Sequence, residues 1–233
     1  MAADRTYSHG PIEQEKWPDR LGAHVVTAEA APRIHGYSVA DDLARHYGFV
    51  ETALLALTGE IPTEAQARAA NIALVMLAPA PVATAPVHAA VLARLCGATS
   101  SALLGVGCLG LAEQAQTLLE PGQELVRWLH QPQGAPPEKY RAVDADDAAR
   151  AQRFVELVRG TGLQLAPLDA SSGLDAALIL VLYRCGLKRT EQIAALIIMA
   201  RLPCLVAEAL ACKARNFAAY PMRLPDFEYA EQP

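Results

Sequence analysis

Aromatic residues make up only 6% of this 233-residue chain, and charged residues 19%. β-branched runs are equally scarce, which argues against a β-sandwich. No basic stripe is present: 20 Lys and Arg stand against 25 Asp and Glu, a formal net charge of −5. A surface built to neutralise a phosphate backbone is therefore not expected, and nucleic acid is set aside as a partner. The five cysteines, Cys96, Cys108, Cys185, Cys204 and Cys212, are odd in number, lie in apolar segments and form no CxxC pair. They read as buried free thiols in a reducing compartment, with no metal site. The opening MAADRTYSHGPIEQEKWPDR mixes acids and bases, unlike a signal or transit peptide. Apolar runs such as 176–183 and 193–200 are broken by Arg184, Lys188, Arg189, Glu191 and Arg201, short of the roughly 20 residues a membrane span requires. The expectation is a cytoplasmic protein without a membrane partner.

Alanine and leucine carry most of the 52% hydrophobic content. Both are strong helix formers, so the fold is expected to be all-α, and the chain is long enough for a sizeable core.

Two amphipathic helices are expected within HGYSVADDLARHYGFVETALLALTGEIPTEAQARAA, residues 35–70. In the first, Val39 and Leu43 share a face. In the second, Phe49, Ala53 and Leu57 lie beside Val50 and Leu54 in a broad apolar stripe. Gly59 is placed to end that helix, and Thr63 with Gln66 forms a capping box for the next, which should reach Leu77. The tract 78–86 contains Pro79, Pro81 and Pro86 and is not expected to be helical.

Further helices are read over 87–96, 99–119, 142–159, 175–185, 191–202 and 205–217, with a short strand at 24–29. Within the long helix, Gly105, Gly107 and Gly110 cost about 1 kcal/mol each against alanine. They read as close helix packing ahead of a ligand contact. The Pro- and Gln-rich stretch 121–137 marks a boundary. The resulting division is an N-terminal arm 1–32, a large helical domain in two parts, 33–120 and 171–233 with its tail, and an intervening segment 121–170.

Several of these stretches resemble the citrate synthase family, over roughly residues 33–229. IHGYSVADDL is similar to that family's RGY segment. FVETALLALTGEIPTEAQ matches its F-x-E-x-x-x-L-L-x-G-E-x-P-T signature through Phe49, Glu51, Leu54, Leu55, Gly59, Glu60, Pro62 and Thr63. GLDAALILVLYRCGL and MARLPCLVAEAL are similar to two later family segments. The resemblance implies a helical fold with a large domain and, in 121–170, an abbreviated small domain. It implies a homodimer, no permanently bound cofactor, a coenzyme A thioester as substrate, and a small carboxylic acid or acyl-CoA as ligand.

It also implies chemistry. An aspartate takes the α-proton of a thioester, a donor stabilises the enolate oxygen, and arginines clamp the carboxylates of a keto acid. Asp175 falls at the position of the base; on its own it equally suits the N-cap or first turn of the helix that follows. Arg201 falls at a carboxylate-binding position; on its own it equally suits a helix C-terminal charge. Arg223 corresponds to an arginine of the family's tail. The family's two histidines find no counterpart: GCLGLAEQAQ holds none, and Pro137 and Glu138 stand where the other and its arginine neighbour belong. His9, His24, His35, His46, His88 and His130 all lie elsewhere. Lys139, Tyr140 or a residue of a second subunit is left to take their role.

Two functions follow from the resemblance. One is a divergent Claisen-type acyltransferase or lyase, making or breaking a carbon–carbon bond beside a CoA thioester, with little classical citrate synthase activity alone. The other is a non-catalytic homologue that binds a ligand or serves as partner to a full-length citrate synthase-like subunit.

Overall fold

The computed structural model describes residues 22–27, 30–119, 128–130, 135–165, 168 and 171–215. Its backbone divides into two compact units, Met1–His46 and Tyr47–Pro233.

In the first unit, β1 (Val26–Thr27), β2 (Arg33–Ile34) and β3 (Tyr37–Ser38) form a small antiparallel sheet in that order, with Val26 opposite Ile34 and Arg33 opposite Ser38. His35 and Gly36 make the two-residue turn between β2 and β3, both with positive φ, 46° and 88°. That backbone matches the right-handed strand twist and is tolerated best at glycine. So 35–70 opens on a hairpin. The first expected helix is shorter and wound differently: Val39–Leu43 is a π-turn and Ala44–His46 a single α-turn. The Ser38 hydroxyl accepts from Asp41 N at 3.1 Å, and Ser38 N donates to the Asp42 carboxylate at 2.7 Å. These bonds cap a segment too short to be stable by propensity.

The second unit is helical. Its elements are α1 (Phe49–Thr58), α2 (Glu64–Leu77), α3 (Ala85–Leu95), α4 (Ser100–Leu119), α5 (Ala145–Arg159), α6 (Leu174–Arg184) and α7 (Thr190–Ala211), with a 3₁₀ turn at Glu138–Tyr140. The all-α expectation holds. Gly59 ends α1 with φ 82°, and Thr63 and Gln66 exchange capping hydrogen bonds at the start of α2. The face of α1 differs from the expected stripe. Leu54 and Leu55 are buried, whereas Phe49 is 73% exposed at the helix start.

α6 is the centre. Every residue from Ala176 to Tyr183 is buried, as an apolar helix without a polar face must be, and α2, α5 and α7 pack around it. A second cluster, with Val87, Leu103, Leu111, Leu205 and Ala209, joins α3, α4 and the last half of α7. Two of the glycines in α4 serve that junction. A Cβ on Gly107 would lie 2.5 Å from Leu205 Cδ2, and one on Gly110 would lie 3.0 Å from Pro86 Cα, while Gly105 faces open space.

Three expectations about boundaries are corrected. Asp144 is the N-cap of α5, its carboxylate accepting from Asp147 N at 2.7 Å, so that helix begins at Ala145 rather than at 142. Pro86 lies within the first turn of α3, where a missing N–H costs nothing. The expected helices 191–202 and 205–217 are one helix, α7, running through Pro203. Pro203 is exposed while Leu205 and Ala209 beyond it are fully buried. Burial on the far side offsets the lost backbone hydrogen bond. As one helix of 22 residues, α7, like α4, is long and apolar enough to cross a membrane by length and composition. The expected break short of that length does not hold for the run 193–200, whereas 176–183 lies in the 11-residue α6. Both helices pack instead against each other and against α3.

Candidate active site

Asp175 lies in the first turn of α6, two residues after the N-cap Gly173. The loop that delivers it is bound to the segment after the 3₁₀ turn: Ala142 N donates to Ser171 O at 2.8 Å and Gly173 N to Tyr140 O at 3.0 Å. From α5, the Asp147 carboxylate accepts from Val143 N at 3.3 Å and from Leu174 N at 3.4 Å, and it pairs with Arg150. Asp147, not Asp175, therefore serves the N-terminal amides of α6. The Asp175 carboxylate makes no hydrogen bond among the described residues.

Gly173 is a close-approach position. A Cβ there would sit 2.8 Å from Asp147 Oδ2 and 3.1 Å from Arg141 O. The short Asp147 side chain cannot swing aside without releasing the amides it holds. Gly173→Ala is expected to cost about 1–3 kcal/mol, the usual range for forced overpacking. The measurement is the midpoint of urea unfolding.

Arg201 is mid-helix in α7, with ten residues of helix after it, so the helix-terminus reading is excluded. Its Nε donates to Leu77 O at 3.3 Å and its NH1 to Gln114 Oε1 at 2.7 Å. Two fixed acceptors on α2 and α4 hold the guanidinium plane, and among the described residues NH2 has no acceptor. Lys139, from the 3₁₀ turn, donates to the Thr117 carbonyl, and the neighbouring Tyr140 hydroxyl donates to Leu118 O at 2.7 Å. These are two of the orphan carbonyls at the end of α4, so the turn and the helix end satisfy one another.

Asp175, Arg201 and Lys139 face one cleft of about 760 Å³, whose walls include Pro86 and Ala89 of α3 and Gly110, Glu113, Gln114, Thr117 and Leu118 of α4. Its volume suits a medium-sized organic ligand. Among the described residues that line it there is no histidine. His130 stands elsewhere, its Nδ1 2.7 Å from the Tyr183 hydroxyl. Arg223 lies outside the described residues.

The electrostatics follow from this arrangement. Asp175 is open to solvent on the cleft side, while protein on its other sides strips away much of its hydration. That desolvation is the largest influence and raises its pKa. Arg201 pulls it down, the Asp147 charge pushes it up, and Arg150 and Lys139 pull it down again. The Arg201 pKa is lowered by burial, with Asp175 opposing. Burial and the Asp175 charge push Tyr140 up to about 12, and its hydroxyl donates to Leu118 O.

Asp175 and Arg201 were both legible as candidates, and the structure brings them together. Gln114 and Asp147 were missed. Gln114 carried a usable signal: Gly110, Glu113, Gln114, Thr117 and Leu118 recur at i, i+3, i+4, i+7 and i+8, a polar stripe on an otherwise apolar helix. Asp147 carried none, since an acid in a first helical turn is ordinary.

No protein-family model and no curated protein matches the sequence. Solved structures do match in fold. Citryl-CoA lyase from Hydrogenobacter thermophilus superposes with a TM-score of 0.63 at 19% identity, over 91% of this chain and 95% of that one. ATP citrate lyase from Methanothrix soehngenii, solved with citrate and coenzyme A, superposes with a TM-score of 0.57 at 14% identity. That match covers 95% of this chain, which spans 43% of the lyase's length. The chain thus has the citrate synthase-like helical fold that these two proteins share.

Proposed function

We propose that this chain makes or breaks a carbon–carbon bond between a CoA thioester and a small carboxylic acid in the cleft of Asp175 and Arg201. The observation that carries the reading is their convergence. A desolvated carboxylate without a hydrogen-bond partner among the described residues and a guanidinium clamped by Gln114 and Leu77 face one cavity from two different helices. The first can hold an α-proton; the second can fix a carboxylate through charge-assisted hydrogen bonds. Two solved lyases of the same fold, one with citrate and coenzyme A bound, support the choice of substrates.

In the bond-forming direction, Asp175 removes a proton from the carbon next to the thioester carbonyl, that carbon attacks the ketone of an acid held at Arg201, and the resulting alkoxide takes a proton from water. In the cleaving direction the hydroxyl gives its proton to water as the carbon–carbon bond breaks toward the thioester, and Asp175 supplies a proton to the thioester carbon. The reading includes a homodimer, for which Val106 and Leu109 on α4, 42% and 65% exposed and three residues apart, offer an apolar face. It also includes residues 121–170 as an abbreviated small domain, Arg223 as a second carboxylate contact and a cytoplasmic location.

A second reading is that the chain binds a carboxylic acid or acyl-CoA without turning it over, alone or beside a full-length partner. The histidine-free lining among the described residues favours it. Deuterium uptake from D₂O into the methyl group of acetyl-CoA, followed by mass spectrometry with and without oxaloacetate, separates the two. Exchange is the expected result; calorimetric binding of citrate or acetyl-CoA by folded protein that shows no exchange would establish the second reading.

A further inference from the structure

We propose that the Lys139 ammonium is the catalytic cation that balances the thioester enolate formed at Asp175. The inference rests on the carbon–carbon bond reading above and names the group that completes it. Taking a proton from the carbon beside a thioester leaves negative charge on the carbonyl oxygen, and a carboxylate base is too weak to do so unless a donor meets that oxygen. Among the described residues, the cleft is lined by two cations. Arg201 is half-buried and held by Gln114 and Leu77, and in the reading above it takes the carboxylate. Lys139 is nearer the rim, where its bond to the Thr117 carbonyl and the anchored Tyr140 hydroxyl beside it fix the ammonium over the end of α4. Lys139 and Asp175 line the same cleft from the 3₁₀ turn and from α6, and the Lys139 charge lowers the Asp175 pKa across it.

The step balances. The C–H electron pair becomes the carbon–carbon double bond of the enolate, the carbonyl π pair moves to oxygen, the proton resides on Asp175, and the oxygen charge is met by Lys139. Reprotonation of carbon restores both groups; attack on a ketone returns the oxygen pair to the thioester carbonyl and frees Lys139, while the new alkoxide takes a proton from water and Asp175 gives its proton to water. An ammonium carries three donors and suits an oxygen whose charge grows during the reaction.

The test is the rate of deuterium uptake by acetyl-CoA in the full chain, for wild type, Lys139→Met, Lys139→Arg and Lys139→Ala, with Arg189→Met as a control cation outside the cleft. Removing a preorganised donor typically costs on the order of 10²–10³ in rate. That loss is expected for Lys139→Met in kcat, with KM for acetyl-CoA little changed. Partial retention is expected in Lys139→Arg, and recovery in Lys139→Ala when ethylammonium is added. Amine rescue is a result that a purely structural cap on α4 would not produce. Wild-type exchange in Lys139→Met, or an effect confined to KM, would overturn the inference while leaving the Asp175 reading in place. Absence of exchange in folded wild type would overturn that reading and this inference with it.

Discussion

Asp175→Asn is expected to lower methyl-proton exchange by 10²–10⁴, the usual order for removing a positioned base. In the wild type, exchange should fall as pH drops through the raised pKa of Asp175, because only the carboxylate accepts a proton. The acid limb is therefore expected above the ordinary value of about 3.9. The same substitution has an opposite effect on stability. In the unfolded chain Asp175 ionises near its ordinary value; in the folded chain it holds its proton to higher pH. Between those two pH values the folded state binds more protons than the unfolded state, so stability falls as pH rises, and the deficit persists above the window. Asparagine removes it. Thermal unfolding of the two proteins should coincide in acid and separate at neutral pH, with the variant melting higher. The raised pKa already includes the attraction of Arg201, so loss of that pairing does not reverse the order. A variant that melts lower at pH 7 would show that pairing outweighs desolvation.

Phe154→Ala is expected to cost about 3–5 kcal/mol, the usual range for emptying a large buried aromatic site. Phe154 is fully buried on α5, in the core that α5 shares with α6 and α2. Helices on several sides hold their positions, so the cavity cannot collapse. On the same helix Leu157 is 57% exposed, and Leu157→Ala should stay within about 0.5 kcal/mol. Urea unfolding provides the check: the Phe154→Ala midpoint should shift with its slope unchanged, since the surface exposed on unfolding is the same. A reduced slope in place of a shifted midpoint would mean that α5 unfolds apart from the rest. Exchange should fall as well, because α5 carries Asp147, whose carboxylate holds the Leu174 amide at the start of α6.

The local elements were legible where the deciding interaction lies within a few residues. The Gly59 stop and the Thr63–Gln66 box are set by backbone groups three or four positions apart, and both occur as expected. Boundaries decided by distant contacts were not legible. Pro203 looks like a break because the cost of a proline is local, whereas the burial of Leu205 and Ala209 that carries α7 past it depends on α3 and α4. Phe49 looked like core because helical periodicity identifies an apolar stripe without saying how far round the helix the neighbours reach.

The candidate site divides in the same way. The all-α class follows from alanine and leucine content and from helical spacing, and Asp175 and Arg201 were picked out by the resemblance of their segments to the citrate synthase family. What each does was open in one dimension, since a carboxylate at a helix start and a cation in an apolar helix both have ordinary structural uses. Only the tertiary structure shows whether those ordinary uses apply. Asp147 arrives from α5 to hold the amides of α6 and releases Asp175 from that duty. The ten residues after Arg201 remove the helix-end explanation, and Gln114 reaches it from a helix 87 positions away in sequence. Sequence patterns record the periodicity of one helix at a time, whereas desolvation, charge pairing and a cleft arise from several helices meeting.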